Sequence, residues 1–462
     1  MGKGEQKSNR YTGRIEFAAT FRKQMTATFS NRNKIAPFGG RKLAKMGANL
    51  RRVVRGFLPV FGVVSAIAAL CAGGACAQER HERTIEEVKA EAITRAENGM
   101  YPLIALDPAD VREAFTSVKT SDPDEWAAAF SAVAGRYAAQ AKSLESTDPA
   151  KASALYGKAW RLYSFGRWPV PLSPGKKAAY AKAIEAFLDH ARLMDPPLEV
   201  IHIPFEGSEI IAYLRLPKNP GGPVPVVLAI SGLDSRKEDL SENFGAIVPY
   251  GIGFIAVDSP GTGQAPIKAG LTAERMFAPV LDYLATRREV DKSRIAADGQ
   301  SFGAYWATKL SIVERTRLKG VVLQTPPVDA SFQKDFLLSS ILGNREYLFG
   351  LIPAFLNIFE GAKTVDDLAE VFPKMSLVNQ NLIGKPTTQM LIIAGALDTQ
   401  VPVSDAFLLL KTGDVPKEAW INPLGGHLGR QKGVWPDPLI FKQVIVPWLV
   451  RTLGAQPSQA AR

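Results

Sequence analysis

At 462 residues and 46% apolar content, the chain is long enough for two or three domains and a large buried core. Its formal charge of +11 is unevenly spread, because residues 1–77 carry 14 Lys+Arg against 2 Asp+Glu and leave 42 against 43 for residues 78–462. The near-neutral remainder excludes a basic nucleic-acid-binding face on compositional grounds.

The leader has the anatomy of an export signal. Arg51, Arg52 and Arg55 form a basic flank, Phe57 to Leu70 is an uncharged apolar core, and Ala75-Cys76-Ala77 supplies small residues before Gln78. Translation from Met46 would give a signal peptide of ordinary length. Cleavage near Ala77 then implies a periplasmic or secreted protein. The alternative is an inner-membrane anchor, since the 22 residues Gly56–Ala77 carry no charge and are just long enough to span a bilayer. Both cysteines, Cys71 and Cys76, fall in this leader, so the mature chain would hold no disulfide and no thiolate.

Residues 78–196 read as a helical domain. Thr84 and Glu87 make a capping box ahead of a face built from Ile85, Val88, Ala92 and Ala96. Asp-Pro recurs at Asp107-Pro108, Asp122-Pro123 and Asp148-Pro149, each time placing an N-cap acceptor before a proline suited to the first helical turn. A further helix is expected from Lys176 to Arg192. The aromatics Trp160, Tyr163, Phe165 and Trp168 are expected to pack between helices, with the alternative that some of them roof a pocket.

Past Pro197 the pattern changes to strands. Leu198–Pro204 and Glu209–Leu216 form an antiparallel pair around Glu206-Gly207, and Val224–Ile230 and Ile252–Val257 are continuous apolar runs of the kind buried on both faces of a sheet. Further strands are expected at Arg294–Ala297, Gly320–Leu323, Gln389–Ala394 and Ala419–Asn422, with helices at Glu274–Thr286, Phe302–Arg315, Ser404–Lys411 and Leu439–Leu453. Such alternation predicts an α/β fold with a mostly parallel sheet covered on both faces, spanning 197–455 and followed by a short tail at 456–462. The stretch 326–388 is too long for an ordinary connection and predicts a helical insertion acting as a lid, with membrane contact as the alternative.

Inside this region, Asp298-Gly299-Gln300-Ser301-Phe302-Gly303 joins a strand to a helix and has the form of a nucleophile elbow, with Gly299 and Gly303 relieving the tightest part of the turn. A Gly-x-Ser-x-Gly occurs by chance roughly 0.2 times in a chain of this composition, so partners must be found. A serine hydroxyl needs a base, and the base a carboxylate to hold its tautomer. Of the four histidines, His81 adjoins the cleavage site, His190 falls on a helix and His202 on a strand; His427, in Gly425-Gly426-His427-Leu428-Gly429, lies in a loop after a late strand. Asp398 follows the buried strand before it. The catalytic set is thus Ser301, Asp398 and His427, in the chain order of α/β-hydrolases. The oxyanion donors are assigned to the N–H groups of Phe302 and Leu233. Asp258 and Asp298 are read as structural. Asp258-Ser259-Pro260-Gly261-Thr262-Gly263 lacks the Lys-Ser/Thr ending of a phosphate loop and is read as a turn beside the site.

These features resemble a family of α/β-hydrolases, that of the fermentation-respiration switch protein and 2,6-dihydropseudooxynicotine hydrolase. The resemblance is carried by Trp126, Ala154-Leu155-Tyr156-Gly157-Lys158-Ala159, Gly232-Leu233-Asp234-Ser235-Arg236-Lys237-Glu238, Asp258-Ser259-Pro260-Gly261, the elbow, and the Asp398/His427 pair. Ser231 and Ala304 depart from it, each standing where the family often has Gly. The resemblance implies a serine hydrolase acting on a small carbonyl compound, foremost a carboxylic ester, through an acyl-enzyme and without metal or organic cofactor. It leaves open cleavage of carbon–carbon bonds beside a ketone, and a non-catalytic binding role on the same scaffold. A peptidase elbow looks similar, but no propeller domain accompanies it.

Overall fold

The computed structural model describes residues 83–218, 220–337, 339 and 346–455. The leader with its cysteines and His81, the initiation and cleavage sites, and the tail 456–462 lie outside the described residues. All described residues belong to one unit, His81–Arg462.

Among the described residues, five helices come first: α1 (Ile85–Glu97), α2 (Pro108–Ser117), α3 (Pro123–Leu144), α4 (Pro149–Arg167) and α5 (Pro174–Arg192). Their starts follow the capping chemistry in the sequence. Thr84 and Glu87 close a reciprocal capping box, while Asp107, Asp122 and Asp148 accept from N–H groups of the first turn that have no intrahelical partner. Ser173 caps α5, which begins two residues before the expected Lys176.

The chain then forms an eight-stranded sheet: β1 (Glu199–Phe205), β2 (Ser208–Arg215), β3 (Val224–Ile230), β4 (Gly253–Val257), β5 (Val290–Gln300), β6 (Gly320–Gln324), β7 (Gln389–Gly395) and β8 (Lys417–Asn422). Their spatial order is β1-β2-β4-β3-β5-β6-β7-β8. β1 and β2 are antiparallel and β2 meets β4 antiparallel, whereas every pair from β4 to β8 is parallel. All the expected strands are present within two residues of their predicted starts, except β5, which begins four residues earlier than the apolar run.

Side-chain alternation in the central strands divides the core in two. Val226, Leu228, Ile230, Ala297, Leu323 and Ile392 face a cluster with α7 (Phe277–Thr286) and α8 (Phe302–Val313), and residues of the insertion join it. Val227, Ala229, Ala256, Ala296, Val322 and Ile393 face the other way, onto α6 (Lys237–Phe244), the C-terminal helix Val446–Leu453 and the N-terminal helices. The N-terminal helices therefore share a hydrophobic core with the sheet. His190 on α5 reinforces the junction by bridging Ser153 Oγ and Glu242 Oε1 of α6, each at 2.8 Å.

Within the insertion, the described residues include helices at Leu351–Ile358 and Val365–Met375. Thr364 and Asp367 cap the second by a reciprocal box. The last expected helix, Leu439–Leu453, is interrupted. A π-helical turn at Phe441–Ile445 separates Asp437–Ile440 from Val446–Leu453, and Glu274 lies in a 3-10 turn ahead of α7. No helix among the described residues is long and apolar enough to cross a membrane.

Candidate active site

The sheet changes direction of growth at β3: β4 lies on one side of it and β5 on the other. In open parallel sheets, the crevice beyond the carboxyl ends of such strands is where ligands bind. Ile230 pairs with Gly299 across β3 and β5, which sets the loop 231–236 beside the elbow. Strand register does the same for the later loops, with Gln324 of β6 opposite both Gln300 and Ile393, and Gly395 of β7 opposite Asn422.

Ser301 occupies φ 53°, ψ −117°, a conformation that non-glycine residues rarely adopt. Close packing maintains it. A Cβ on Gly299 would come within 2.2 Å of the Gly303 carbonyl oxygen, and one on Gly303 within 2.3 Å of the Ile230 carbonyl oxygen, so both positions exclude any side chain. The Ser301 N–H donates to the Gln324 carbonyl at 2.8 Å, and its carbonyl accepts from Ala304 N–H at the same distance, leading directly into α8.

Asp398 and His427 meet. His427 Nδ1 stands 2.9 Å from Asp398 Oδ2, while Asp398 Oδ1 accepts from the N–H groups of Gln400 at 2.8 Å and Val401 at 3.0 Å. The Asp398 side chain has no solvent exposure. Two carboxylate oxygens with three fixed partners give the imidazole one orientation and direct its Nε2 away from the carboxylate. The loop carrying His427 is tied back to β6, because Leu428 N–H donates to Thr325 Oγ1 at 3.0 Å and Thr325 N–H donates to the Ile393 carbonyl at 2.7 Å.

Ser301 and His427 line one cavity, together with Phe302 and Leu233, the residues assigned to the oxyanion site. Neither the Phe302 nor the Leu233 N–H donates to a protein acceptor among the described residues. The neighbouring Gly232 N–H, by contrast, is spent on Ser235 Oγ at 2.8 Å. His202 is exposed and pairs with Glu209 at 3.0 Å, and His190 is at the helical junction, so neither lines this cavity.

A buried charge cluster supports the 231–236 loop. Lys237 Nζ lies 3.0 Å from Asp258 Oδ2 and 3.1 Å from Glu238 Oε1, and Asp258 also accepts from the N–H groups of Lys237 and Gln264, both at 2.9 Å. Burial disfavours the charged carboxyl of Asp258, but the Lys237 ammonium, the Arg236 guanidinium and the N–H groups of Gln264 and Lys237 together outweigh that and hold it below the usual range. The turn Asp258–Gly263 is thus structural. Ser231, one departure from the family pattern, braces it: Ser231 Oγ accepts from Ser259 N–H at 3.0 Å. The other, Ala304, is fully buried in α8.

Asp298 is buried behind the elbow with one oxygen near Gln324 Nε2 at 3.3 Å and the other without a partner among the described residues. Burial pushes its carboxyl up to about 7.

Several residues of the cavity wall have no recognisable signal in the sequence. Tyr101 and Arg95 come from the helical region, and Tyr347 from the insertion. Of the four aromatics read as core or roof, Trp160, Tyr163 and Phe165 are core, whereas Trp168 lines the cavity and donates its indole N–H to Asp234 Oδ2 at 2.8 Å. Asp405 is fully buried at the start of the helix Val403–Leu410 and accepts from the N–H groups of Val328, Asp329, Ala330 and Ser331, shaping the loop that brings Pro327 and Ser331 to the cavity. An Asp one turn into a helix has no sequence feature that announces such a role.

A family model described as "Esterase FrsA-like" matches residues 118–415. The chain belongs to the FrsA-like family. It is 32% identical over 206 residues to the esterase FrsA of Serratia proteamaculans (strain 568), covering 42% of this chain and 49% of that protein. It is 28% identical over 259 residues to the alpha/beta hydrolase ucsC of Acremonium sp, covering 50% and 52%. The chain spans about half the length of the curated relatives it matches. Among solved structures, this FrsA-like chain superposes on 2,6-dihydroxy-pseudo-oxynicotine hydrolase with a TM-score of 0.65 at 18% identity, covering 79% of this chain and 95% of that one. It superposes on AbyA5 with a TM-score of 0.61 at 19% identity, covering 81% and 96%. At these identities the superpositions establish a shared fold, the α/β-hydrolase fold expected from the sequence.

Proposed function

We propose that the protein is an exported serine esterase in which His427 deprotonates Ser301 for attack on an ester carbonyl. The observation that carries the reading is the pairing of His427 Nδ1 with a fully buried Asp398 at 2.9 Å, in a cavity that Ser301 also lines from a strained elbow. Asp398 accepts a hydrogen bond from Nδ1–H, which keeps the proton on Nδ1 and leaves Nε2 as the basic nitrogen available to the serine. Ser301 Oγ bonds to the carbonyl carbon, and the resulting oxyanion is taken up by the unspent N–H groups of Phe302 and Leu233, the first reinforced by the N-terminus of α8. The imidazolium returns its proton to the departing alcohol. Water, deprotonated by His427, then releases the acid and restores Ser301.

Membership of an esterase family supports the ester as the bond cleaved. Export rests on the leader alone: a basic flank, an apolar core and Ala75-Cys76-Ala77. Residues 78–196 act as a helical cap domain on the catalytic domain 197–455, with 326–388 as the lid. The activity is tested by intact-mass analysis after fluorophosphonate treatment. One adduct mapping to Ser301, absent in Ser301→Ala and His427→Ala, is the expected result; a folded protein that takes no adduct overturns the mechanism. Amino-terminal sequencing of protein recovered from the cell envelope tests export, with Gln78 as the expected first residue.

A further inference from the structure

The residues lining the cavity fall into two contiguous groups of unlike chemistry. One is made of phenyl rings: Phe332 and Phe372 pack edge-on at 5.8 Å, Phe355 and Phe372 at 5.2 Å, and Phe302 joins them through Phe359 at 5.9 Å and 5.3 Å. Leu351 completes this wall, which comes from the insertion and the start of α8. The other group is polar and is drawn from five separate segments. Trp168 donates to Asp234 and lies 4.9 Å from the Tyr347 ring, and the Arg430 guanidinium sits over the Tyr101 ring at 4.9 Å.

The charges at the polar wall already have counterparts. Arg430 Nε is 2.6 Å from Asp437, and Arg95 Nε is 2.7 Å from Glu91. Asp234 holds the Trp168 indole and lies within the fields of Arg236 and Arg430. Burial, followed by the charge of Asp234, pushes the phenols of Tyr101 and Tyr347 well above their ordinary value, so both stay protonated. A charged ligand group would enter this wall without a counter-ion, at a desolvation cost that nothing there offsets. A hydroxyl group can both donate and accept, which suits a wall of phenol, carboxylate and guanidinium.

Resting on the esterase reading, we propose that the substrate is an uncharged amphiphilic ester with an apolar arm among Phe332, Phe355 and Phe372 and a hydroxyl-bearing arm at Tyr101, Asp234 and Arg430. The scissile carbonyl lies between the two arms, where Ser301 and His427 meet the cavity. Apart from Phe302 in the elbow and Arg430 beside His427, both walls come from sequence outside the elbow and the Asp398/His427 loops, so Phe355 and Tyr101 can be changed without touching the reacting groups.

The test compares kcat/KM for glyceryl octanoate and octyl glycerate with that for propyl octanoate, choline octanoate and octyl hydrogen succinate. At least one hydroxylated ester is expected to exceed propyl octanoate tenfold or more, and both charged esters to fall below it. Tyr101→Phe should reduce kcat/KM for the preferred hydroxylated ester at least fivefold more than for propyl octanoate. Phe355→Ala, at a half-buried position, should lengthen the optimal acyl chain by two or more carbons and keep the head-group preference. Equal turnover of plain and hydroxylated esters, or preference for a charged one, overturns the inference. Binding of the hydroxylated ester to Ser301→Ala by calorimetry separates the two failures. Labelling of Ser301 by fluorophosphonate without head-group discrimination sinks the substrate class and leaves the esterase. Selective binding by a chain that neither labels nor turns over sinks the esterase and leaves the pocket chemistry.

Discussion

At the elbow, backbone packing is the constraint. Gly299, Gly303 and the Ile230 carbonyl approach so closely that Ser301 has one available geometry, and the residues involved lie within a few positions of each other or on the adjacent strand. The wall opposite is assembled differently: Tyr101, Trp168, Asp234, Tyr347 and Arg430 are distant in sequence and meet through side-chain contacts. Constraint by backbone leaves little room for substitution, whereas constraint by side chains can be altered one contact at a time. Under the proposed mechanism, the first suits a nucleophile whose position sets the rate, and the second suits a surface that selects the substrate.

The comparison is broken most sharply at the elbow. Ser301→Ala should lower ester turnover by about 10^4-fold or more while the urea-unfolding midpoint stays close to that of the parent. If activity survives, the elbow is a structural turn and the nucleophile lies elsewhere. Next in size is Asp398→Asn, which retains the N–H acceptor at Oδ1 but presents the wrong partner to Nδ1; steady-state kinetics should show a loss of about 10^3 to 10^4-fold. Gly303→Ala tests the packing itself. Its Cβ would overlap the Ile230 carbonyl, and denaturant titration should show a loss on the order of 3 kcal/mol or a chain that fails to fold.

Behind the elbow, Asp298 predicts a stability that depends on pH. Its carboxyl titrates at about 7 when folded, against an ordinary value of 3.8. Between those values the unfolded chain has lost the proton that the native chain retains, so stability falls as pH rises through this window and levels off above it. Asp298→Asn still offers Oδ1 to Gln324 and cannot ionise. It should remove that fall, making the variant more stable than the parent at pH 8 by roughly 2–4 kcal/mol, a difference that shrinks toward pH 4 in urea titrations. An unchanged pH profile would mean that Asp298 stays hydrated. The smallest effect is expected in the opposite wall: Trp168→Phe deletes the indole N–H that Asp234 accepts, and should cost about 1–2 kcal/mol, seen chiefly as a raised KM. A larger fall in kcat would show that this wall is coupled to the reacting groups.

Periodicity, capping residues and turn glycines are local signals, and the elements they specify are where the sequence places them. Val224–Ile230 is a strand over the same residues that its apolar run predicts, and the Asp-Pro pairs start α2, α3 and α4. The later C-terminal helix was less legible, since a π-helical turn at Phe441–Ile445 comes from an extra residue per turn that the apolar spacing does not reveal. The strain at Ser301 could be anticipated from its flanking glycines. The strain at Thr325, φ 52°, could not, because no glycine marks it and its role is to hold the loop of His427 across three strands.

From the sequence alone followed the helical region, the order of the sheet's parallel strands along the chain, the elbow turn, and the pairing of His427 with Asp398. Each rests on residues close together or on chain order, which is preserved on folding. Only the tertiary structure decided that the N-terminal helices share a core with one face of the sheet, that Trp168 rather than Trp160 reaches the cavity, and that Tyr101, Asp234 and Arg430 form one wall. Those contacts join segments separated by up to hundreds of residues, and their geometry depends on strand register and helix packing that no local pattern encodes.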